Sequence, residues 1–140
     1  MKEMEVVMTP EQKIKREIIR SCRNGMDNAD YMEIPEVLPD AESVDKWWEV
    51  LVEEDMHWDY MDEIRDGEID TNIDPQWSRH HESKSVAMKC CDGTWVGWTY
   101  WYGGGKHGDP SAIDWMPDAY ELECVEEEKL VTVRTWTKKA

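Results

Sequence analysis

The dipeptide Asp92-Gly93 separates two runs, residues 85–91 and 94–102, whose side chains read with a period of two. Asp-Gly is the pair a two-residue hairpin turn favours, because both turn positions need left-handed backbone. A two-residue turn pairs Cys90 with Trp95, Met88 with Gly97 and Val86 with Thr99. Paired residues share a face, so Val86, Met88, Cys90, Trp95 and Trp101 are expected on one side. Ala87, Lys89, Cys91, Val96, Trp98, Tyr100 and Tyr102 are expected on the other. A second hairpin follows from the alternation in residues 119–125 and 130–137, turning at residues 126–129. There Tyr120, Leu122, Cys124, Val131 and Val133 share a face, and Glu121 meets Arg134 on the opposite one.

Helical signals occupy the first half. Thr9-Pro10-Glu11-Gln12 combines a cap, a first-position proline and a capping box. Ile14, Ile18 and Ile19 form the apolar stripe of a basic helix that stops at Gly25, and this helix either packs on the acidic segment or lies on the sheet. Residues 26–42 read as a loop. Ser43 then caps a second helix with Val44, Trp47, Trp48, Leu51 and Val52 on one face. Trp58 and Met61 extend it past a bend near Met56, and it ends at about Gly67. The expectation is an α+β fold, two N-terminal helices followed by a four-stranded antiparallel sheet of two hairpins. It forms a single domain, 1–140, with a helical acidic part at 9–67 and a sheet part at 83–138.

The net charge is −16 and it is confined. Residues 27–74 hold 18 acids against Lys46 and Arg65, while the remainder is balanced. Direct binding to nucleic acid is disfavoured, since phosphate contacts need clustered Lys and Arg. The charge suits a basic protein surface instead; the bland alternative is a solvated acidic face that aids solubility. No apolar run approaches the roughly 18 residues of a membrane span, so no membrane partner is expected. Four scattered cysteines, two of them adjacent, make no disulfide framework and point to a reducing cytosol.

Reaction chemistry leaves little trace. Neighbouring Cys90 and Cys91 point to opposite strand faces and do not chelate one ion. His80-His81-Glu82 has no matching helical HxxxH, and His57 and Asp59 do not face each other on a helix. No nucleophile elbow or dinucleotide fingerprint appears, so no catalytic residue, metal or cofactor is assigned and the chain is read as a non-enzyme. GGGKHGD, residues 103–109, follows a strand but lacks phosphate-loop spacing. It reads as a turn, with Lys106 and His107 the residues a nucleotide would use. For the aromatic strand three readings stay open: it is central and covered on both sides, loop 103–118 folds over its rings, or Trp98, Tyr100 and Tyr102 form an exposed contact face.

The stretch TWVGWTYWYGGGKHGDPSAIDWMPDAYELECVEEEKLVTVRTW is similar to a family of small, poorly characterised bacteriophage and prophage proteins. The resemblance spans roughly residues 86–137, through the WxGWxYWYGGGKHG core, IDWM and the closing VTV. It implies a cytoplasmic accessory protein of an infected or lysogenic bacterium, of the kind that takes over host functions or antagonises nucleases and restriction systems.

Together these features predict a non-enzymatic acidic inhibitor of a host nucleic-acid-binding or defence protein. Asp45, Glu49, Glu53, Asp59, Asp62, Glu63 and Asp66 would supply a nucleic-acid-like charge array. Trp98, Tyr100 and Tyr102 would anchor the partner. The alternative is a small-ligand or nucleotide-sequestering protein built on the aromatic strand and the glycine loop. The oligomeric state is left open.

Overall fold

A computed structural model of the chain describes residues 8–25, 33–104, 106 and 108–140. Three helices, α1 (Pro10–Gly25), α2 (Ala41–Glu53) and α3 (Trp58–Arg65), precede a sheet of β1 (Ile69–Asp70), β2 (Glu82–Lys89), β3 (Trp95–Tyr102) and β4 (Tyr120–Leu122). The strands pair antiparallel in the order β1-β2-β3-β4. The architecture is α+β.

Helix α1 starts and stops where its signals place it. Thr9 Oγ1 accepts the Gln12 amide at 3.2 Å and Gln12 Oε1 accepts the Thr9 amide at 2.9 Å. Ile14, Ile18, Ile19 and Cys22 are fully buried. The helix touches both alternatives at once, packing on α2 and on β3 and β4. Its cations choose the sheet side. Lys13 Nζ lies 2.9 Å from Glu121 Oε1 and 3.1 Å from Thr94 Oγ1, and Arg16 Nη2 lies 3.0 Å from Asp92 Oδ2. Glu121 therefore meets Lys13, not Arg134.

Helix α2 begins at Ala41, capped by Asp40 rather than Ser43. The Asp40 carboxylate accepts the Ser43 amide at 2.8 Å and Ser43 Oγ answers on the Asp40 amide, so Ser43 is the reciprocal partner of the box. The expected bend near Met56 is a full break. Asp55 adopts φ 55° and accepts the Trp58 indole N–H at 2.8 Å, while the Met56 amide folds back to the Leu51 carbonyl. α3 is thus a separate helix. Val44 and Leu51 of α2 are buried with Ile19, Cys22, Ile34 and Leu38, and Trp48 and Tyr60 pack against this cluster and the sheet cluster alike.

The Asp92-Gly93 hairpin forms, but one residue out of the expected register. The Cys90 amide donates to the Thr94 carbonyl at 2.7 Å and the Gly93 amide to the Cys90 carbonyl at 2.9 Å. This closes a three-residue loop with Gly93 in the left-handed region, φ 88°, a common hairpin type in which that position needs glycine. The extra residue pairs Val86 with Trp98 and Met88 with Val96. Every side chain of β3 is thereby moved to the face opposite the one expected, since a one-residue slip exchanges the faces. Val86, Met88, Cys90, Val96 and Trp98 form the core under the helices. Trp95 and Trp101 turn outward with Ala87 and Thr99, where segment 71–81 crosses them. There the Gln76 amide donates to Thr99 Oγ1 at 3.4 Å, and Ser83 Oγ donates to the Gln76 carbonyl at 2.6 Å.

The second hairpin is the larger correction. Tyr120–Leu122 pairs with β3, with Glu121 opposite Val96, but residues 130–137 join no strand. Leu130, Val131, Val133 and Trp136 are exposed, as is Cys124, expected on the shared apolar face. Three consecutive glutamates, Glu126–Glu128, stand where the tight turn was expected. Crowding three like charges into a four-residue turn opposes its closure.

Candidate functional site: an acidic face beside an aromatic cleft

The seven acids proposed for the contact surface fall on two consecutive helices. Asp45, Glu49 and Glu53 form an i, i+4 row on α2, a spacing of about 6 Å per step. Asp59, Asp62 and Glu63 lie on α3, and Asp66 is its C-cap. All seven are exposed. Among the described residues none of them takes part in a salt bridge. Asp45 is held in place by Gln12, whose Nε2 lies 3.2 Å from both carboxylate oxygens.

Of the nearby cations, Lys46 stands exposed on α2 among the acids, while three others have partners. Lys15 pairs with Glu11 at 3.0 Å and sits 5.3 Å from the Trp48 ring centre; Arg20 pairs with Glu17 at 3.2 Å. Arg65, one of two bases in the acidic segment, turns inward. Its guanidinium donates to the Trp101 carbonyl and stacks 4.8 Å from the Tyr100 ring centre.

The end of α2 carries Glu53, the C-cap Glu54 and then Asp55, with no base in the last turn. Carboxylates at a helix C-terminus oppose the macrodipole. The acidity there costs local stability.

An aromatic cleft of about 560 Å³ opens between α2, α3 and segment 111–116. Trp48, Trp58, Met61, Trp115 and Met116 supply its apolar walls, and Asp62 and Asp114 bring carboxylates to it. Trp58 is 52% exposed. His57, buried just ahead of α3, meets the Trp48 ring edge-on at 5.5 Å between centres and lies tilted against Trp58 at 4.6 Å, and its Nδ1 has no hydrogen-bond partner. Trp115 continues the wall into the core, 5.0 Å from the Trp98 ring centre. Sequence reasoning reached Trp48 and Trp58 through helical spacing. It missed Trp115 and Met116, whose one visible signal was an apolar pair inside a proline-broken loop.

The aromatic anchors expected on β3 are placed differently. Trp98 is fully buried, so it contributes no contact surface. Tyr100 is half-buried under Arg65, and Lys84 lies 5.7 Å from its ring centre. Tyr102 stacks on Tyr100 with ring centres 5.6 Å apart and lines a separate cleft of about 580 Å³ formed by residues 74–83. Two of the three open readings hold together. β3 lies between β2 and β4, covered on both faces, and Trp115 of the following loop packs on its central ring.

The glycine loop is a steric device. Gly104, φ 65°, passes so close to the His80 carbonyl that any Cβ would collide with it. Asp109 then caps a short 3-10 turn, Pro110–Ala112, accepting the Ser111 amide at 3.0 Å and hydroxyl at 2.8 Å. These bonds lower the Asp109 carboxyl below its usual range. Lys106 is exposed and lines neither the aromatic cleft nor the cleft beside Tyr102; His107 lies outside the described residues.

Thiol chemistry follows burial. Burial, with the negative charges of Glu17 and Asp92, pushes the Cys90 thiol up to about 12. Cys91 is exposed, yet desolvation and a hydrogen bond with Glu17 raise it as well. Among the described residues no cluster of three or more His, Cys, Asp or Glu side chains is arranged to hold a metal ion. No helix among them is long and apolar enough to cross a membrane.

Compared with protein-family models, with curated proteins and with solved structures, the chain matches none.

Proposed function

We propose that the chain is a non-enzymatic acidic binding protein of phage type, an inhibitor of a basic host protein that handles nucleic acid or defends the cell. The carrying observation is the unneutralised acidic face of α2 and α3, which keeps carboxylates even at the helix end where they destabilise. A face needed for solubility alone is served as well by acids at helix N-termini. Residues that break a local rule mark function more often than structure.

Duplex DNA presents one phosphate charge per about 1.7 Å of axis. The two acidic helices offer a sparser array of the same sign, enough to steer a cationic surface into encounter. The anchor is the cleft between Trp48, Trp58 and Trp115. Its aromatic faces and flanking carboxylates suit a partner's Arg or Lys side chain, held by cation–π contact and charge together.

The test is capture from bacterial lysate with tagged protein, washed at low and then high salt, beside an Asp45→Asn/Glu49→Gln/Glu53→Gln variant. The proposal expects a basic nuclease, helicase or restriction subunit retained at low salt by the native chain and lost by the variant. The captured protein's nucleic-acid binding should fall as the native chain is added. Equal capture by both, or capture without loss of nucleic-acid binding, refutes it.

A further inference from the structure

Residues 123–140 carry no secondary structure, and Val125, Leu130, Val131, Val133 and Trp136 are 79, 107, 77, 84 and 86% exposed. Residues 130–137, LVTVRTWT, are all β-branched or aromatic except Leu130 and Arg134, a composition suited to a pleated, half-buried strand. An isolated strand of this kind leaves its backbone and apolar side chains without partners.

An open edge of matching character lies in the same chain. β4 closes the sheet order and pairs on one side with β3. Over the outer face of the sheet a groove of about 280 Å³ is lined by Ile69 of β1, Ala87 of β2, Trp95 of β3 and Leu122 of β4, and Cys124 and Val125 already bring the start of the following segment against it. Charge favours the same meeting. Residues 129–140 contain Lys129, Arg134, Lys138 and Lys139 and no acid, while residues 1–128 carry a net −20. A basic apolar strand and an acidic body with an open sheet edge complement each other. The glutamates 126–128 oppose the tight turn that would join them within one chain.

We infer that residues 130–137 add as a fifth strand to β4 of a second copy, in a reciprocal exchange that gives a two-fold dimer. The hydrogen bonds come from the β4 edge, one row of the arm's apolar side chains extends the sheet's outer face past Leu122, and the arm's cations lie on the acidic body of the neighbour. Two bodies of net −20 repel, and the exchanged arms offset that repulsion. Exchange of an identical element is a low-cost route to a symmetric dimer.

Sedimentation velocity on the full chain, paired with amide hydrogen exchange, tests this. The native protein should be dimeric at micromolar concentration, with alternate amides of the arm protected where they face the three-residue β4 edge. A Thr132→Pro/Val133→Pro variant removes N–H groups at adjacent positions, one of which faces the ladder whichever way the strand is turned. It should weaken dimerisation by about 100-fold or more and lose the protection. Unchanged helical circular dichroism would show that the body still folds. In a dimer of one ¹³C-labelled and one ¹⁵N-labelled copy, the arm of one should show contacts to residues 120–122 of the other. A monomer with protected arm amides means that the hairpin closes within the chain and overturns the inference. A monomer with an unprotected arm, or a dimer that survives the prolines, overturns it as well.

Discussion

The indole N–H of Trp98, at the centre of β3, donates to the main-chain carbonyl of Arg65 at 2.7 Å. That carbonyl belongs to the last residue of α3, where helical carbonyls lack intrahelical donors. A fully buried ring thus supplies the bond the helix end needs, while the Arg65 guanidinium returns to the Trp101 carbonyl. The acidic face of α3 is held on the sheet through this exchange.

Trp98→Phe keeps most of the ring volume but leaves the Arg65 carbonyl without its donor. Stability should drop by about 2–4 kcal/mol, combining the lost bond with a small cavity. Urea unfolding followed by far-ultraviolet circular dichroism measures it. A change below about 0.5 kcal/mol, the range of an ordinary surface substitution, would mean that this bond does not hold α3.

Asp92 in the hairpin loop makes stability depend on acid. Partial burial works against its charge, but bonds from the Thr94 hydroxyl and amide and from Arg16 outweigh this and hold the carboxyl well below its usual range. A folded-state pKa below the unfolded one contributes stability that is complete above the ordinary carboxylate range of about 4 and is lost as pH falls through it towards the folded value. Asp92→Asn should cost about 1–2 kcal/mol at pH 7, the size of losing charge-assisted bonds at a partly exposed group. The variant should also show a shallower fall in stability between about pH 4 and 2. Thermal unfolding of both proteins across that window checks this, and parallel curves would refute it.

What could be read in advance tracks how local the deciding interaction is. α1 was legible to the residue because its box, proline and terminal glycine act within single turns. The cap of α2 was displaced because Asp40 and Ser43 are both capping residues, and a reciprocal box needs each. β3 was legible as a strand but not as a face. Asp-Gly suits a two-residue turn and a three-residue loop ending in left-handed glycine, and only the Cys90–Thr94 closure decides between them. The acidic residues were located correctly as exposed because charge is costly to bury. Their aromatic neighbours were misjudged because burial depended on that register. The β4 partner was lost to a non-local cause, since alternation in residues 130–137 marks a strand without naming the edge it pairs with.

The acids at the end of α2 separate stability from function. Glu53→Gln/Glu54→Gln relieves repulsion with the helix dipole and should raise stability by about 0.5–1 kcal/mol. If the face steers a basic partner, the same change should slow association severalfold at low salt, with little effect on dissociation. Chemical unfolding and stopped-flow association with the captured partner read the two effects. A variant that is more stable and associates as fast would show that these acids take no part in recognition.

Cysteine labelling tests which face of β2 the helices cover. With Val86, Met88 and Cys90 facing the helices, Cys90 is sealed in the core, and Cys22 is buried in α1. Cys91 and Cys124 are exposed. A thiol-specific reagent at pH 8 should therefore modify two of the four cysteines in the native protein and all four in denaturant. Because the thiolate is the reactive form, the raised pKa of Cys91 should make it slower than an unstructured cysteine peptide at the same pH. The Glu17 carboxylate, 2.7 Å from the Cys91 amide, contributes to that shift, so Glu17→Gln should speed labelling at Cys91 and leave Cys124 unchanged. Mass spectrometry of digested, labelled protein assigns each site. Rapid modification of Cys90 in the folded state would place the Val86, Met88 and Cys90 face of β2 away from the helices and refute this packing.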